Sequence, residues 1–200
     1  MEISFRGKRA LVTGASQVSL KNEVPSIETV ALDLSDWNKT KQGLANIGPI
    51  DLLVNNAGLA ILGPLTEVKE SDVDSKDLVA RNAPGSIVNV SSQASMVGLN
   101  NHTVYCATKG AVDSFTRAAA LEYGPKNIRV NAVNPTVIMT DMGRLGWSDP
   151  KVANPMLQKI PLRRFGEVHE VVDAVTYLLS DKASMITGTC LPIDGGYVAS

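Results

Sequence analysis

The sequence predicts an α/β fold, in which helices cover both faces of a doubly wound parallel sheet. Short apolar, β-branched runs alternate along the chain with stretches of helical character, which is the pattern of this fold class. The apolar runs are nearly continuous, as expected of parallel strands that are buried on both faces. Five strands are predicted, namely Arg9–Thr13, Glu28–Leu32, Asp51–Asn55, Ser86–Val90 and Ile128–Val133.

Three helices are predicted between and after these strands, namely Ser35–Ile47, Thr103–Tyr123 and Glu167–Ser180. The last of them has its valines and leucines on one side, which is typical of a helix packed on a core. The chain shows no internal repeat or linker, so residues 1–200 are expected to form a single domain.

Two stretches are too short or too polar for a complete fold of this class. Only the twelve residues 15–26 separate Gly14 from Ile27, whereas one strand–helix–strand unit takes about 30 residues or more. Lys69–Leu78 is polar and lacks a helical period where a helix is needed before Ser86. We infer that the printed sequence omits two segments that the protein itself contains, with true absence of these segments, through a splice form or an engineered deletion, as the alternative. An intact mass of 21.2 kDa would favour the alternative.

Composition argues against several classes of protein. The net charge is −1 and the basic residues are scattered, so a nucleic-acid partner is not expected. No apolar run reaches the roughly 18 residues of a membrane span, and the N-terminus does not resemble a secretory signal. Cys106 and Cys190 form neither a zinc-type cluster nor a disulfide framework, so no metal is expected. Free thiols of this kind favour a cytoplasmic location.

A tyrosine and a lysine four residues apart give the clearest chemical signal. Tyr105 and Lys109 lie on a predicted helix, where positions i and i+4 share a face. A free tyrosine holds its proton to about pH 10, and a neighbouring ammonium stabilises a phenolate and favours acid–base chemistry. Ser92 follows a strand at the carboxyl edge, where ligands of open α/β sheets bind, and can donate to a carbonyl oxygen. We predict that these three residues are catalytic.

Three shorter motifs follow other predicted strands. Thr13–Ser16 (TGAS) stands where a phosphate-binding glycine turn would lie. Asp33 could accept a hydrogen bond from an adenine amino group, although capping of the next helix is its plainer role. Asn55–Gly58 (NNAG) would let a flat ligand approach the backbone, and an ordinary turn is the alternative.

In this order, the motifs resemble those of the short-chain dehydrogenase/reductase family over the whole chain. The matching runs are T-G, D-L, N-N-A-G, V-S-S, Y-x-x-x-K, N-P-T-V-I-M-T and D-G-G. The resemblance implies a Rossmann-type domain, a nicotinamide cofactor as hydride carrier, Tyr105 as the acid or base, and Lys109 also holding the nicotinamide ribose. It implies cofactor contacts from Gly14, Asp33, Leu34, Asn55, Ala57, Gly58, Tyr105, Lys109, Pro135, Thr136, Val137, Ile138 and Thr140.

Among the branches of that family, the chain is most similar to the L-xylulose (dicarbonyl) reductases, through IVNVSSQAS, NHTVYCATKGA, RVNAVNPTVIMT and WSDP. The similarity implies reduction of a small ketose or α-dicarbonyl with NADP(H), NAD(H) remaining possible, by a homotetramer. Gln93, His102 and Trp147 would line the substrate pocket with Ser92. The first two could instead be surface loop residues, and Trp147 could serve only for packing.

The chain also departs from the family. The later glycines of the dinucleotide-binding loop, the second strand and the family's catalytic asparagine are not found in the sequence. Two alternatives therefore stay open. The chain could be an inactive family member that acts as a binding or structural protein, or a reductase of a steroid or fatty-acyl ketone.

Overall fold

Five parallel strands form one sheet in the computed structural model, which describes residues 3–14, 24, 26–32, 36–56 and 83–200. The strands are β1 (Ala10–Val12), β2 (Leu52–Asn55), β3 (Gly85–Val90), β4 (Ile128–Pro135) and β5 (Cys190–Ile193). The α-helices are α1 (Trp37–Leu44), α2 (Thr103–Tyr123), α3 (Asp141–Gly146), α4 (Pro150–Leu157) and α5 (Val168–Leu179).

The strands are ordered in the sheet as they are in the chain, from β1 to β5, and each neighbouring pair is parallel. The register places Val12 beside Val54 and Asn55 beside Asn89. All five strands therefore end at the same edge of the sheet, where ligands of open α/β sheets bind.

The core has two layers, one on each face of the sheet. Along β3, Ile87 packs with Ala119 and Ala120 of α2, whereas Val88 packs with Leu178 and Leu179 of α5. Successive side chains of a strand point to opposite faces, so α2 and α5 cover opposite sides. The predicted α/β class, with helices on both faces, is confirmed.

The predicted strand Glu28–Leu32 is wrong, because these residues form no strand in the structure. In a fold of this class, a strand at these residues would pair with a further strand that lies between it and β1. Only the twelve residues 15–26 of the sequence could supply that further strand and the helices around it, and they are too few. The Leu32 side chain instead packs against Gly43 of α1. Within the described sheet, β1 is an edge strand whose Val12 is 48% exposed.

The other predicted elements are confirmed, with small changes in their bounds. Helix α2 begins and ends at the predicted residues, while α1 and α5 are shorter than predicted. Helix α5 begins at a capping box, in which the Glu167 amide donates to Glu170 Oε2 at 2.8 Å. Helices α3 and α4 and strand β5 were not predicted. Within the described ranges, no helix has the length and apolar composition that crossing a membrane requires.

Candidate active site

Polar residues at the ends of the first three strands are joined by hydrogen bonds. The Thr13 hydroxyl, which follows β1, accepts a hydrogen bond from the Asn56 amide at 3.1 Å. Asn55, at the end of β2, donates through Nδ2 to Asn89 Oδ1 of β3 at 2.8 Å. Asn89 donates in turn to the Thr116 hydroxyl of α2 at 2.9 Å. The strand ends that were predicted to hold a cofactor are thus connected to each other and to helix α2.

Ser92 lies two residues beyond β3 and caps a short 3-10 turn, Gln93–Ser95. It is 8% exposed, and its hydroxyl oxygen accepts a hydrogen bond from the Ala94 amide at 3.2 Å. A hydroxyl that accepts one hydrogen bond still has its own proton to donate. Ser92 can therefore donate to an oxygen atom of a bound substrate.

Tyr105 and Lys109 lie one turn apart on α2, as predicted. Lys109 Nζ is 5.8 Å from the centroid of the Tyr105 ring and donates to the Val90 carbonyl at 2.9 Å. The Ser91 hydroxyl donates to the Lys109 backbone carbonyl at 3.2 Å. Because Val90 and Ser91 directly precede Ser92, these bonds bring the three predicted catalytic residues to the end of β3.

The surroundings of the lysine affect its protonation. Burial lowers the pKa of the Lys109 ammonium, and the Asp113 carboxylate, one turn further along α2, partly opposes that decrease. When Lys109 is protonated, it places a positive charge beside the Tyr105 ring. The arrangement suits transfer of a proton from Tyr105 to an oxygen that gains negative charge during a reaction.

Two of the predicted substrate-binding residues lie beside this group. His102 directly precedes α2, and its ring meets the Tyr105 ring edge-on, with 6.1 Å between the centroids. Gln93 is 3% exposed, and its Oε1 has no hydrogen-bond partner among the described residues. A buried acceptor without a donor is unfavourable, so a ligand hydroxyl that donates to Gln93 would be stabilising.

Trp147, the third predicted substrate residue, lies at the end of α3 and packs against Phe165, with 5.3 Å between the ring centroids. The segment before it is fixed by backbone hydrogen bonds. The Met139 amide donates to the Gly166 carbonyl at 2.8 Å, and the Gly166 amide donates to the Val137 carbonyl at 3.0 Å. The role of Trp147 in substrate binding stays a prediction.

The residues at the end of β4 fit a bound cofactor. The Thr136 amide donates to the Ile193 carbonyl at 3.2 Å, which fixes the backbone after Pro135. Thr136 Oγ1 and Asn55 Oδ1 are buried, and neither has a hydrogen-bond partner among the described residues. Both atoms belong to predicted cofactor positions, where a ligand could satisfy them.

The structure describes only some of the other predicted cofactor residues. Gly14 follows β1 with a φ of 72°, a conformation that favours glycine. The Thr140 hydroxyl caps α3 by accepting from the Gly143 amide at 3.1 Å, and Ile138 pairs with Gly166. Four predicted residues lie outside the described part of the chain, namely Asp33, Leu34, Ala57 and Gly58.

A methyl group at Gly143 is expected to displace α3. A Cβ at this position would lie far inside the contact distance of the Ile138 carbonyl oxygen, which is a backbone atom and cannot rotate away. We expect Gly143→Ala to cost about 1–3 kcal/mol of stability. We also expect it to raise KM for the substrate about tenfold, through misplacement of Trp147. Thermal unfolding and steady-state kinetics would measure both effects.

Gly146→Ala is the matched control, because a Cβ at Gly146 would meet no atom within 4 Å and the two glycines belong to the same short helix. We expect its stability and kinetics to stay close to those of the unchanged protein. Equal behaviour of the two variants would contradict the steric argument.

Three residues of the site were not predicted, although each had a signal in the sequence. Ser91 is the first serine of the same V-S-S run that supplied Ser92. Asp113 is four residues after Lys109, and therefore on the same face of α2. Asn134 directly precedes Pro135. The spacing of Asp113 was informative, whereas the contacts of Asn134 depend on how β4 packs.

Comparison with known proteins places the chain among reductases. A family model described as enoyl-(acyl carrier protein) reductase matches residues 75–198. The chain is 47% identical to L-xylulose reductase of Bos taurus and 39% identical to carbonyl reductase [NADPH] 2 of Sus scrofa; both alignments cover 100% of each chain. Its fold is similar to that of a gluconate 5-dehydrogenase from Burkholderia cenocepacia, which was solved in complex with NADP and tartrate. That similarity has a TM-score of 0.85 at 22% identity and covers 97% of this chain and 96% of the other.

The alignments also bear on the two short stretches of the sequence. The alignment with the Bos taurus protein extends over 244 positions and contains all 200 residues of this chain. At least 44 of its positions, the difference between 244 and 200, therefore have no counterpart here. Because the alignment covers the whole of both chains, these positions are internal. The 200 residues thus lack internal positions that the relative has, which agrees with the two short stretches noted in the sequence.

Proposed function

The chain belongs to the short-chain dehydrogenase/reductase family, and from that premise we propose that it reduces a small ketose or α-dicarbonyl, such as L-xylulose, with NADPH. The observation that carries the proposal is the position of Ser92, Tyr105 and Lys109 at the end of β3, with Lys109 Nζ 5.8 Å from the Tyr105 ring. The relatives named L-xylulose reductase and carbonyl reductase [NADPH] support the substrate class and the cofactor.

In the proposed reaction, the Ser92 hydroxyl donates to the carbonyl oxygen of the substrate and orients it. NADPH, when bound, supplies the hydride that adds to the carbonyl carbon. Tyr105 delivers its phenolic proton to the same oxygen as negative charge develops there, which gives the alcohol. The Lys109 ammonium stabilises the phenolate that remains, until a proton from solvent restores the phenol. One hydride and one proton convert the ketone to an alcohol.

The residues that would hold NADPH surround the ends of three strands. Asn55 and Thr136 offer buried oxygens without partners, and Gly14 gives the turn after β1. Lys109 would contact the nicotinamide ribose, and the segment from Val137 to Thr140 would line the nicotinamide end. Asp33, Leu34, Ala57 and Gly58 are proposed to complete the cofactor contacts.

A short polar substrate suits the side chains around Tyr105. Gln93 has a buried amide oxygen that can accept from a substrate hydroxyl, and His102 lies beside the Tyr105 ring. Trp147, packed on Phe165, would provide an apolar wall. Hydrogen-bonding groups of this kind discriminate strongly against analogues that lack the matching hydroxyl.

We further propose a homotetramer located in the cytoplasm, in which the single domain of residues 1–200 is the repeating unit. Large apolar side chains are exposed on both main helices, which is a common property of surfaces buried on assembly. On α2, Phe115 is 49% exposed and Leu121 is 81% exposed; on α5, Val172 is 52% exposed. Because the exposed apolar side chains form one face on α2 and another on α5, they fit a homotetramer in which each subunit has two kinds of subunit contact.

A substrate and cofactor screen tests the proposal. L-xylulose and diacetyl are each assayed with NADPH and with NADH, beside a steroid ketone, a fatty-acyl ketone and an enoyl thioester. We expect turnover of the two small carbonyl compounds, with NADPH as the better cofactor. Turnover of only the steroid, the fatty-acyl ketone or the thioester would refute the assigned substrate class.

Cofactor binding separates an enzyme from an inactive family member. NADPH is titrated by fluorescence in the absence of substrate. We expect saturable binding, which a competing excess of NADP⁺ reverses. Absence of both binding and turnover would favour a binding or structural protein, and would contradict the proposal.

A further inference from the structure

A buried carboxylate and a buried amide connect helix α2 to the turn that carries Ser92. Asp113 of α2 is 4% exposed and Asn134 of β4 is 0% exposed. Asn134 Nδ2 lies 3.0 Å from both carboxylate oxygens of Asp113, 2.8 Å from Ser95 Oγ and 3.2 Å from the Ser92 carbonyl oxygen. The nitrogen of the amide must face these four acceptors, since its oxygen would repel the carboxylate.

The contacts of Asn134 determine the backbone position of Ser92. The Ser92 carbonyl accepts from the Ser95 amide at 3.0 Å and from the Ser95 hydroxyl at 2.7 Å, which closes the turn. Asn134 adds a donor from a different element of the fold, and it also binds Ser95 Oγ. Ser92 is thus fixed to the neighbouring strand β4 as well as to its own turn.

Asp113 acts on Lys109 as well as on Asn134. It lies four residues after Lys109, on the same face of α2. Around the ammonium, the described groups in direct contact are the Tyr105 ring and the Val90 carbonyl. Other titratable or charged side chains on α2 and on the elements around it are His102, Cys106, Asp113, Arg117, Glu122, Tyr123, Lys126, Arg129 and Cys190. Among these side chains, Asp113 is the carboxylate whose charge acts on Lys109.

The two arginines among these groups are engaged elsewhere. Arg117 donates to Cys190 Sγ at 3.6 Å, and Arg129 donates to the carbonyls of Leu178 and Ser180 at the end of α5. Glu122, the other carboxylate of α2, lies 13 residues after Lys109, which is more than three helical turns away. Asp113 is therefore the carboxylate that can balance the positive charge of Lys109, and the Asn134 amide holds that carboxylate in place.

We propose that Asp113 and Asn134 are positioning residues for the reaction. Asn134 fixes the turn that presents Ser92, and Asp113 orients the Asn134 amide while it balances the charge of Lys109. The inference rests on the proposed function, because it takes Ser92 and Lys109 as catalytic residues. Asp113 and Asn134 act only through those residues.

Asn134→Ser tests the positioning of Ser92, with Asn131→Ser as the matched control. Asn131 is also an asparagine of β4 with 0% exposure, but it binds Ile186 and Thr189 on another part of the fold. We expect Asn134→Ser to lower kcat about ten- to hundredfold with little change in KM, because a displaced catalytic group slows the chemical step. Asn131→Ser is expected to lower the unfolding temperature and leave kcat unchanged. Equal kcat values for the two variants would overturn the proposal.

Asp113→Asn tests the electrostatic part, because it removes the charge and keeps the size of the side chain. Without the carboxylate, the buried ammonium loses its proton at lower pH. The alkaline decline of kcat/KM should therefore begin at lower pH than in the unchanged protein. Superimposed pH profiles would overturn this part of the proposal.

Hydrogen exchange provides a readout that does not depend on turnover. The amides of residues 91–97 are expected to exchange faster in Asn134→Ser, but not in Asn131→Ser, because the turn loses its contact with β4. Unchanged exchange would contradict the inference even if the protein had no activity. Loss of the proposed function alone would appear in the substrate screen, with the exchange difference still present.

Discussion

Replacing Tyr105 with phenylalanine is expected to abolish turnover while NADPH binding stays nearly unchanged. The substitution removes only the phenolic oxygen and its proton, which is the group proposed to protonate the substrate. General acid catalysis contributes about 10²–10⁴-fold, so kcat should fall by at least that factor. The ring contact with His102 and the position of Lys109 should persist, since the aromatic ring remains. Steady-state kinetics and fluorescence titration would measure the two effects separately.

Tyr177→Phe is the matched control for this experiment. Tyr177 lies on α5 and packs against the core layer on the other side of the sheet. The same hydroxyl is removed there, far from the end of β3, and we expect kcat to be unaffected. If Tyr105→Phe kept the activity of this control, the proposed role of Tyr105 would be wrong.

The central part of the fold was predictable because its strands are buried on both faces. Runs such as Ser86–Val90 and Ile128–Val133 are apolar and β-branched, and both form strands at or very near the predicted positions. Helix α2 was predictable for a related reason, since its spacing places Tyr105 and Lys109 on one face. The site could be located from sequence because the strands end at one edge of the sheet and α2 begins there.

Elements at the border of the sheet were harder to predict. Strand β5 contains Pro192, an unusual residue for a strand. Helix α3 has only six residues, too few for a hydrophobic period to be visible. The apolar run Glu28–Leu32 was predicted as a strand because its composition is right, yet a strand also requires a neighbour to pair with. Composition describes a single segment, whereas pairing depends on the rest of the chain.

The network of Asp113 and Asn134 shows the same limit at the level of side chains. From sequence, Asn134 is one of two asparagines in the run RVNAVN, and it differs from Asn131 only in that a proline follows it, which does not link it to Asp113 or Ser92. Only the packing of β4 against α2 shows that one contacts Asp113 and Ser95 while the other binds Ile186 and Thr189. Residues that position catalytic groups are defined by such three-dimensional contacts.

Replacing Lys109 with methionine is expected to impair both catalysis and cofactor binding. Methionine has a similar length and tolerates burial, so the packing of α2 should be kept. The phenolate of Tyr105 would lose the cation that stabilises it, and kcat should fall by about 10²-fold or more. KM for NADPH should rise as well, because Lys109 is proposed to hold the nicotinamide ribose. This joint effect distinguishes Lys109 from Tyr105, whose replacement should change kcat alone.

Lys126→Met is the matched control for this experiment, because Lys126 is an exposed lysine just beyond α2 and is not part of the proposed site. The same charge is removed there, and we expect kcat and the KM for NADPH to stay close to those of the unchanged protein. A Lys109→Met variant with the kcat and KM of this control would show that the Lys109 charge contributes neither to catalysis nor to cofactor binding.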